Sequence, residues 1–222
     1  MPGARTVAGL SATSPAAPPR RVLAAAGFVS RYPALVDGTQ RGRDEGFGLA
    51  RSAPPVVRVA KRRDAAALRA LQQGIYDEGC WFVGDGPPSE VALAARLQHT
   101  PLDRGAVWLA ERFDRAVGWC EATRVAAERL EHVALLTVAV SHADRGSGVG
   151  RALLTEAERW ARAQRLRKLS LHVRAGNVAA IGLYRSLGFE VEGVERGQVR
   201  HGAAFEDNLI MAKHLVPPES PA

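Results

Sequence analysis

Two cysteines in 222 residues, Cys80 and Cys120, are too few for a disulfide framework, and neither sits in a Cys-x-x-Cys pair of the zinc or dithiol kind. Their scarcity fits a reducing cytoplasm, and nothing in the sequence asks for a metal. No apolar run reaches the roughly 18 residues of a membrane span. The one apolar patch near the amino terminus, Val22 to Val29, is short, contains Gly27 and lacks the pattern of a secretion signal. Internal repeats are absent. So are runs of five basic residues and stripes of interleaved aromatics, which argues against a nucleic-acid partner despite a pI near 10.2. The formal charge of +7 is also unevenly placed, since residues 1–55 hold 7 Lys+Arg against 3 Asp+Glu, a net of +4.

Residues 1–55 are rich in Pro, Gly, Ala, Ser and Arg and have few large apolar residues to offset the entropy of ordering, so they read as a disordered basic extension. A folded domain is expected over 56–216, followed by a short tail at 217–222. Val56, Val57 and Val59 suggest a strand. Asp64 is placed to cap a helix carrying Ala67, Leu68, Leu71 and Ile75, and Ser89 to cap a second with Val91, Leu93, Ala94 and Leu97. Ala106 to Ala110 and Ala116 to Ala122 form a hairpin, and Ala134 to Val140 a third strand of this group. An amphipathic helix then buries Val149, Leu153, Ala157 and Trp160 on one face. Leu169 to Val173 is a strand, Asn177 caps a helix that Gly188 stops, and two strands close the domain. The order β-α-α-β-β-β-α-β-α-β-β is a mixed α/β fold.

The stretch from Leu135 to Arg151, LLTVAVSHADRGSGVGR, runs from a strand into a helix through Gly146, Gly148 and Gly150. Amides at a helix start, unobstructed by side chains, form an anion cradle to which the helix dipole adds. Three glycines can also do no more than turn the chain.

Arg145-Gly146-Ser147-Gly148-Val149-Gly150 matches the Arg/Gln-x-x-Gly-x-Gly/Ala signature of the GNAT N-acetyltransferase family, and Asn177 to Phe189, NVAAIGLYRSLGF, resembles its second signature, Asn-x-x-Ala-x-x-Leu-Tyr-x-x-x-Gly-Phe. The resemblance spans about residues 56–216. His142 stands where the family often has a proline after the strand. The fold this implies is a mixed, mostly antiparallel central sheet flanked by helices, with a splayed strand pair at a cofactor cleft. By the same resemblance, the amides from Gly146 through Ser147, Gly148, Val149 and Gly150 to Arg151 would hold the pyrophosphate of acetyl-CoA, with charge from Arg145 and Arg151. Asn177 would touch the cofactor as well as cap its helix. The backbone of Val138, Ala139 and Val140 would bind pantetheine like an added strand, and a strand amide near Val138 or Ala139 would stabilise the oxyanion.

The implied reaction is direct attack of a primary amine on the acetyl carbonyl in a ternary complex, with coenzyme A thiolate leaving. Tyr184 holds the position of the family's tyrosine acid, although a tyrosine on an apolar helix stripe is by default a core residue. Glu121, His132 and His172 are candidates for the base, each on or beside a central strand. The acceptor region implied lies in Gly74 to Leu97 and Gly193 to Asn208. There Asp77, Glu78, Asp85, Glu206 and Asp207 could hold a cationic amine, and Arg196, Arg200 and His201 could line the pocket. The acceptor stays open between a small molecule, a polyamine and a peptide or protein amino group, and the protein is expected as a monomer or homodimer in the cytoplasm. A non-catalytic coenzyme A-binding sensor or interaction module on the same fold is the alternative.

Overall fold

A computed structural model describes residues 54–84 and 86–216. The extension expected over 1–55 therefore lies almost wholly outside the described residues, as do Asp85, the tail at 217–222 and the side chain of His201. The elements follow the expected order: β1 (Val56–Val59), α1 (Ala65–Tyr76), α2 (Glu90–His99), β2 (Gly105–Arg112), β3 (Arg115–Arg124), β4 (Val133–Val140), α3 (Val149–Ala163), β5 (Lys168–Arg174), α4 (Val178–Ser186), β6 (Glu190–His201) and β7 (Ala204–His214). They build one seven-stranded sheet in the order β1-β2-β3-β4-β5-β7-β6. Every neighbouring pair is antiparallel except β4 and β5.

Local chemistry explains most boundaries. The β2–β3 hairpin turns through Phe113 and Asp114, both at positive φ (48° and 56°), as a two-residue primed turn requires. Ser89 caps α2 by accepting the Ala92 N–H at 3.2 Å, and Asn177 caps α4 by accepting the Ala180 N–H at 3.2 Å. Asp64 departs from expectation. Its carboxylate accepts the Lys61 N–H at 2.7 Å and pairs with Arg58 at 2.7 Å, so it closes a 3₁₀ turn ahead of α1 and makes no side-chain cap to the helix. The stronger, charge-assisted partner prevails over the local cap. In consequence the Asp64 carboxyl is held below its ordinary value, first by Arg58.

Two apolar layers sandwich the sheet. On one face α3 and α4 cover Trp108, Cys120, Ala122, Leu136, Leu169, Leu171 and Val173. On the other, α1 and α2 cover Leu109 and Trp119, with Phe82 stacked between Tyr76 (4.8 Å) and Trp119 (6.3 Å). α3 lies unusually close to β3, because Gly118 offers no side chain. A Cβ there would stand 2.8 Å from Val149 Cγ1, 3.1 Å from Leu153 Cδ1 and 3.2 Å from the Ala139 carbonyl oxygen. Gly118→Val should therefore lower the unfolding free energy by about 1–3 kcal/mol through overpacking, read as a fall in the urea midpoint at constant slope.

A cleft between two parting strands

β4 and β5 share a parallel register over three pairs, Val133↔Lys168, Ala134↔Leu169 and Leu135↔Ser170, and then part. β4 stays paired with β3 as far as Val140↔Gly118, and β5 stays paired with β7 as far as Arg174↔Asn208. The result is the V-shaped gap expected of a splayed pair, with one free backbone edge on each side.

Hydrogen bonds fix which groups of β4 face that gap. Ser141 N–H donates to the Val117 carbonyl at 2.9 Å and Val125 N–H to the Val133 carbonyl at 3.0 Å, so odd-numbered residues of β4 turn towards β3. Direction alternates along a strand. Leu136, Val138 and Val140 therefore present their N–H and C=O groups to the gap, whereas the Ala139 amide is turned away. Of the three residues expected to meet pantetheine, only Val138 and Val140 offer backbone groups, and the Val140 carbonyl already accepts Arg145 Nε at 3.1 Å. That leaves Val138 as the one of the three whose N–H and C=O both face the gap without a protein partner.

Beyond Val140 a 3₁₀ turn at His142–Asp144 replaces the proline bend. It is tied by Ser141 Oγ donating to Asp144 at 2.6 Å and by the Asp144 N–H donating to the Ser141 carbonyl at 3.0 Å. Asp144 is buried and pairs with Arg112 (3.5 Å) and Arg115 (3.1 Å). Arg112, itself buried, donates to the hydroxyl and the carbonyl of Ser147, each at 2.9 Å. The loop is thus fixed from beneath, with its upper side open.

The glycines that follow divide their tasks. Gly146 and Gly148 adopt φ of +73° and +87°, and a Cβ at either would meet nothing within 4 Å. Gly150 is different: a Cβ there would stand 2.9 Å from Leu183 Cδ2, so this glycine lets α3 approach α4. The first intrahelical bond of α3 runs from the Ala152 N–H to the Gly148 carbonyl at 3.0 Å. Among the described residues, the amides of Gly146, Ser147 and Gly148 donate to no protein group, and those of Val149, Gly150 and Arg151 belong to a first turn without helical partners. Unpartnered amides at a helix start above open space suit an anion such as a pyrophosphate.

The expected side-chain ligands are drawn into other contacts. Arg145 pairs with Glu78 at 2.7 Å, and Arg151 donates to Ser186 Oγ at 2.8 Å. Ser147 is held by Arg112, and Asn177 caps α4. The groups left without a protein partner at the loop are therefore mainly backbone amides.

Tyr184 is set by the end of its helix. Gly188, at φ +85°, donates to the Arg185 carbonyl at 3.0 Å, and Phe189 N–H reaches back to the Tyr184 carbonyl at 3.0 Å. This is a Schellman motif, and its usual apolar contact is the Tyr184–Phe189 pair at 5.9 Å. Tyr184 is only 6% exposed, and its hydroxyl has no hydrogen-bond partner among the described residues. Burial pushes its pKa well above the ordinary tyrosine value, so it stays a proton donor at neutral pH. Burial likewise keeps the neighbouring Cys120 a neutral thiol.

The three base candidates separate clearly. His132 precedes the paired end of β4, about 20 Å along the strand from Val138, and its carbonyl is engaged by Arg167 and Lys168. It is not at the cleft. Glu121 stands on β3 opposite Thr137, where Arg96 pairs with it and burial raises its pKa. His172 lies two residues past the last β4–β5 pair, on the lip of the gap and on the face opposite Leu171 and Val173. Its side chain is half exposed, and Nδ1 lies 3.3 Å from Glu195 and 3.2 Å from Asn208.

On the His172 face, an open groove of about 480 Å³ is lined by Gly79, Phe82 and Val83 from the α1–α2 loop, by Arg174, and by Gln198, Val199, Arg200 and Gly202 of the β6–β7 hairpin. These are the two segments expected to build the acceptor region. Their acids are already engaged: Glu78 with Arg145, Glu206 with Arg174, Asp207 with Arg196 and the Gly197 N–H, and Asp77 with Gln73. Arg112, Asp144 and Arg174 went unnoticed in the sequence. One signal was there: Arg112 continues the alternation of buried Trp108 and Ala110, and an arginine on an apolar stripe implies a buried partner. No group of His, Cys, Asp or Glu suited to a metal occurs among the described residues, and none of their helices is long and apolar enough to cross a membrane.

Comparison with known proteins agrees with this geometry. Residues 71–189 match the Acetyltransferase (GNAT) family. A relative named [ribosomal protein bS18]-alanine N-acetyltransferase, from Escherichia coli, is 37% identical over 83 residues, covering 37% of this chain and 56% of that protein. The chain spans only 33–43% of the length of the first curated relatives it matches. Among solved structures, a ribosomal-protein-alanine N-acetyltransferase from Brucella melitensis superposes with a TM-score of 0.66 at 29% identity, over 72% of this chain and 99% of that one. A phosphinothricin acetyltransferase from Sinorhizobium meliloti, in complex with acetyl-CoA, shares the fold at a TM-score of 0.67 and 21% identity, over 73% and 89% of the two chains. The parted strands, the open glycine loop and the Tyr184 helix end thus occur in a chain that belongs to the GNAT family of acetyltransferases.

Proposed function

We propose that this protein transfers an acetyl group from acetyl-CoA to a primary amine, either a small molecule or the amino terminus of a peptide. One observation carries the reading: a free strand edge, Leu136 to Val140, runs directly into a loop and helix start whose amides have no partner in the protein. Acetyl-CoA supplies the thioester as cosubstrate. The amides from Gly146 to Arg151 would hold its pyrophosphate, and the edge groups of Val138 would hold the pantetheine and the carbonyl oxygen.

His172 and Tyr184 supply the proton transfers. An acceptor amine reaches the site largely as ammonium and must lose a proton before its lone pair can attack. His172 takes that proton from the groove side. As the new carbon–nitrogen bond forms and the carbon–sulfur bond breaks, Tyr184 donates its proton to the departing sulfur from the α3–α4 side. Its raised pKa suits this role, because the hydroxyl remains protonated while the imidazole works as a base. The engaged state of Glu78, Glu206 and Asp207 favours a monoamine over a long polyamine, which would need several free carboxylates. The free thiols of Cys80 and Cys120 accord with a reducing cytoplasm.

Three outcomes test this. Acetyl-CoA offered with a panel of amino acids, monoamines, polyamines and peptides of free amino terminus should release thiol with at least one monoamine or peptide. Background release across the whole panel, with coenzyme A bound in a calorimeter, would leave a binding module instead. Tyr184→Phe should lower kcat about 100-fold while the coenzyme A affinity holds; an unchanged rate removes the acid role. Gly148→Leu should abolish coenzyme A binding and cost about 1–2 kcal/mol of stability for a side chain at positive φ. A folded Gly148→Leu protein that still binds coenzyme A would mean the pyrophosphate lies elsewhere.

A further inference from the structure

We infer that Arg112 is a positioning residue for the cofactor's diphosphate: by holding the Ser147 carbonyl from beneath, it aims the Gly148 N–H at the anion. The inference rests on the reading that the glycine loop holds that diphosphate. Arg112 ends β2, and its side chain is 3% exposed. Its Nη1 donates to Ser147 Oγ and its Nη2 to the Ser147 carbonyl, each at 2.9 Å. The Asp144 carboxylate lies farther off, 3.5 Å from Nη1. Nε is buried and has no hydrogen-bond partner among the described residues. An arginine that serves a carboxylate frequently grips it with two parallel bonds. Here the fork straddles one residue of the loop instead, and the carboxylate takes second place.

That grip fixes a direction. A trans peptide unit is planar, with its C=O and the following N–H pointing to opposite sides, and no peptide bond among the described residues is cis. With the Ser147 carbonyl turned down to Arg112, the Gly148 N–H is turned the other way. No protein group among the described residues accepts that N–H, and a Cβ on Gly148 would meet nothing within 4 Å. A cation donating to the carbonyl also polarises the peptide, which makes the N–H at its other end a stronger donor. The Ser147 hydroxyl does not share this task. It accepts from Arg112 and donates to the Asp144 carbonyl, so it is turned inward.

Charge adds to direction. Arg112 and Arg115 are cross-strand partners at the end of the β2–β3 hairpin, and both meet Asp144. Like charges placed opposite each other are destabilising, and the buried Asp144, which also accepts from Ser141 Oγ, is the anion between them. The cluster sets two guanidinium groups against one carboxylate, which leaves an excess of positive charge beneath the loop. Arg115 is 63% exposed and screened by solvent, whereas the buried Arg112 is screened much less. The other arginines of the loop are engaged elsewhere, Arg145 with Glu78 and Arg151 with Ser186.

Binding measurements on the whole protein, with no acceptor amine present, test this. In ¹H–¹⁵N spectra of the wild type, inorganic pyrophosphate and coenzyme A should each move the Gly148 amide proton downfield. In Arg112→Gln, coenzyme A should bind at least about tenfold more weakly, the loss expected when a hydrogen bond to a charged group is removed. S-acetylpantetheine, which carries no phosphate, should bind that variant as it binds the wild type, and the Gly148 shift evoked by pyrophosphate should shrink. Arg112→Lys keeps a charge beside Asp144 but cannot fork, and it should show the same split between the two ligands should Arg112→Gln fail to fold. Equal weakening of both ligands would make Arg112 a framework residue and overturn the inference. So would a Gly148 shift that pyrophosphate evokes equally in wild type and folded variant, or a Gly148 amide that ignores pyrophosphate in a wild type that binds coenzyme A. If the wild type binds neither coenzyme A nor pyrophosphate, the reading of the loop itself falls and takes this inference with it.

Discussion

A backbone polar group must find a partner or meet water, and in this fold that constraint is concentrated where β4 and β5 part. Up to Leu135 the two strands satisfy each other. Beyond it, Val138 keeps its outward N–H and C=O groups unpaired at the gap, next to a Val140 carbonyl that Arg145 holds. Antiparallel partners on both flanks make the split stable, because each strand keeps one complete ladder. The gap is therefore a property of the sheet, and whatever extended ligand enters it meets a strand edge ready to pair.

Three arginines hold the edges of that gap in place. Arg145 binds the Val140 carbonyl and Glu78, joining the end of β4 to the segment after α1. Arg174, at the end of β5, joins the Cys80 carbonyl and Glu206, and Glu206 accepts the Gly176 N–H at 2.8 Å in turn. Both lips thus grip the same short stretch, Glu78 to Cys80, which borders the groove. Arg112 acts below, joining Asp144 to the Ser147 hydroxyl and carbonyl. Removing a partner from such a buried pair costs more than the pair itself contributes, since the remaining charge is left in low dielectric. The glycine loop can accordingly be open above and rigid beneath, which is what preorganised anion binding requires.

Features that depend on neighbours in sequence were legible, and those that depend on register were not. The Tyr184, Gly188 and Phe189 spacing encodes a helix end whose bonds and ring contact lie within six residues, so the sequence pattern and the geometry coincide. The caps at Ser89 and Asn177 are equally local. Asp64 offered the same chemistry but met Arg58 across a turn, and the ion pair took it. His132 and His172 looked alike because alternation places a side chain on a face and says nothing about how far a ladder runs. Only the register, ending at Leu135↔Ser170, separates the histidine at the closed end from the one at the lip. Arg112 and Asp144 meet from separate strands and loops, so no local window could join them.

The face on which each group stands completes the account. Tyr184 belongs to the layer of α3 and α4, whereas His172, Glu195 and the groove lie on the opposite side of the sheet. An intact sheet would keep the proposed acid on one face and the proposed base on the other permanently apart. In the proposed reaction the parted strands would give the two a shared point of access, reached by acetyl-CoA along β4 from one side and by the amine from the groove on the other. A direct transfer needs both proton movements at one carbon in one complex. A sheet that opens between the proposed acid, Tyr184, and the proposed base, His172, would provide that without either side chain having to cross it.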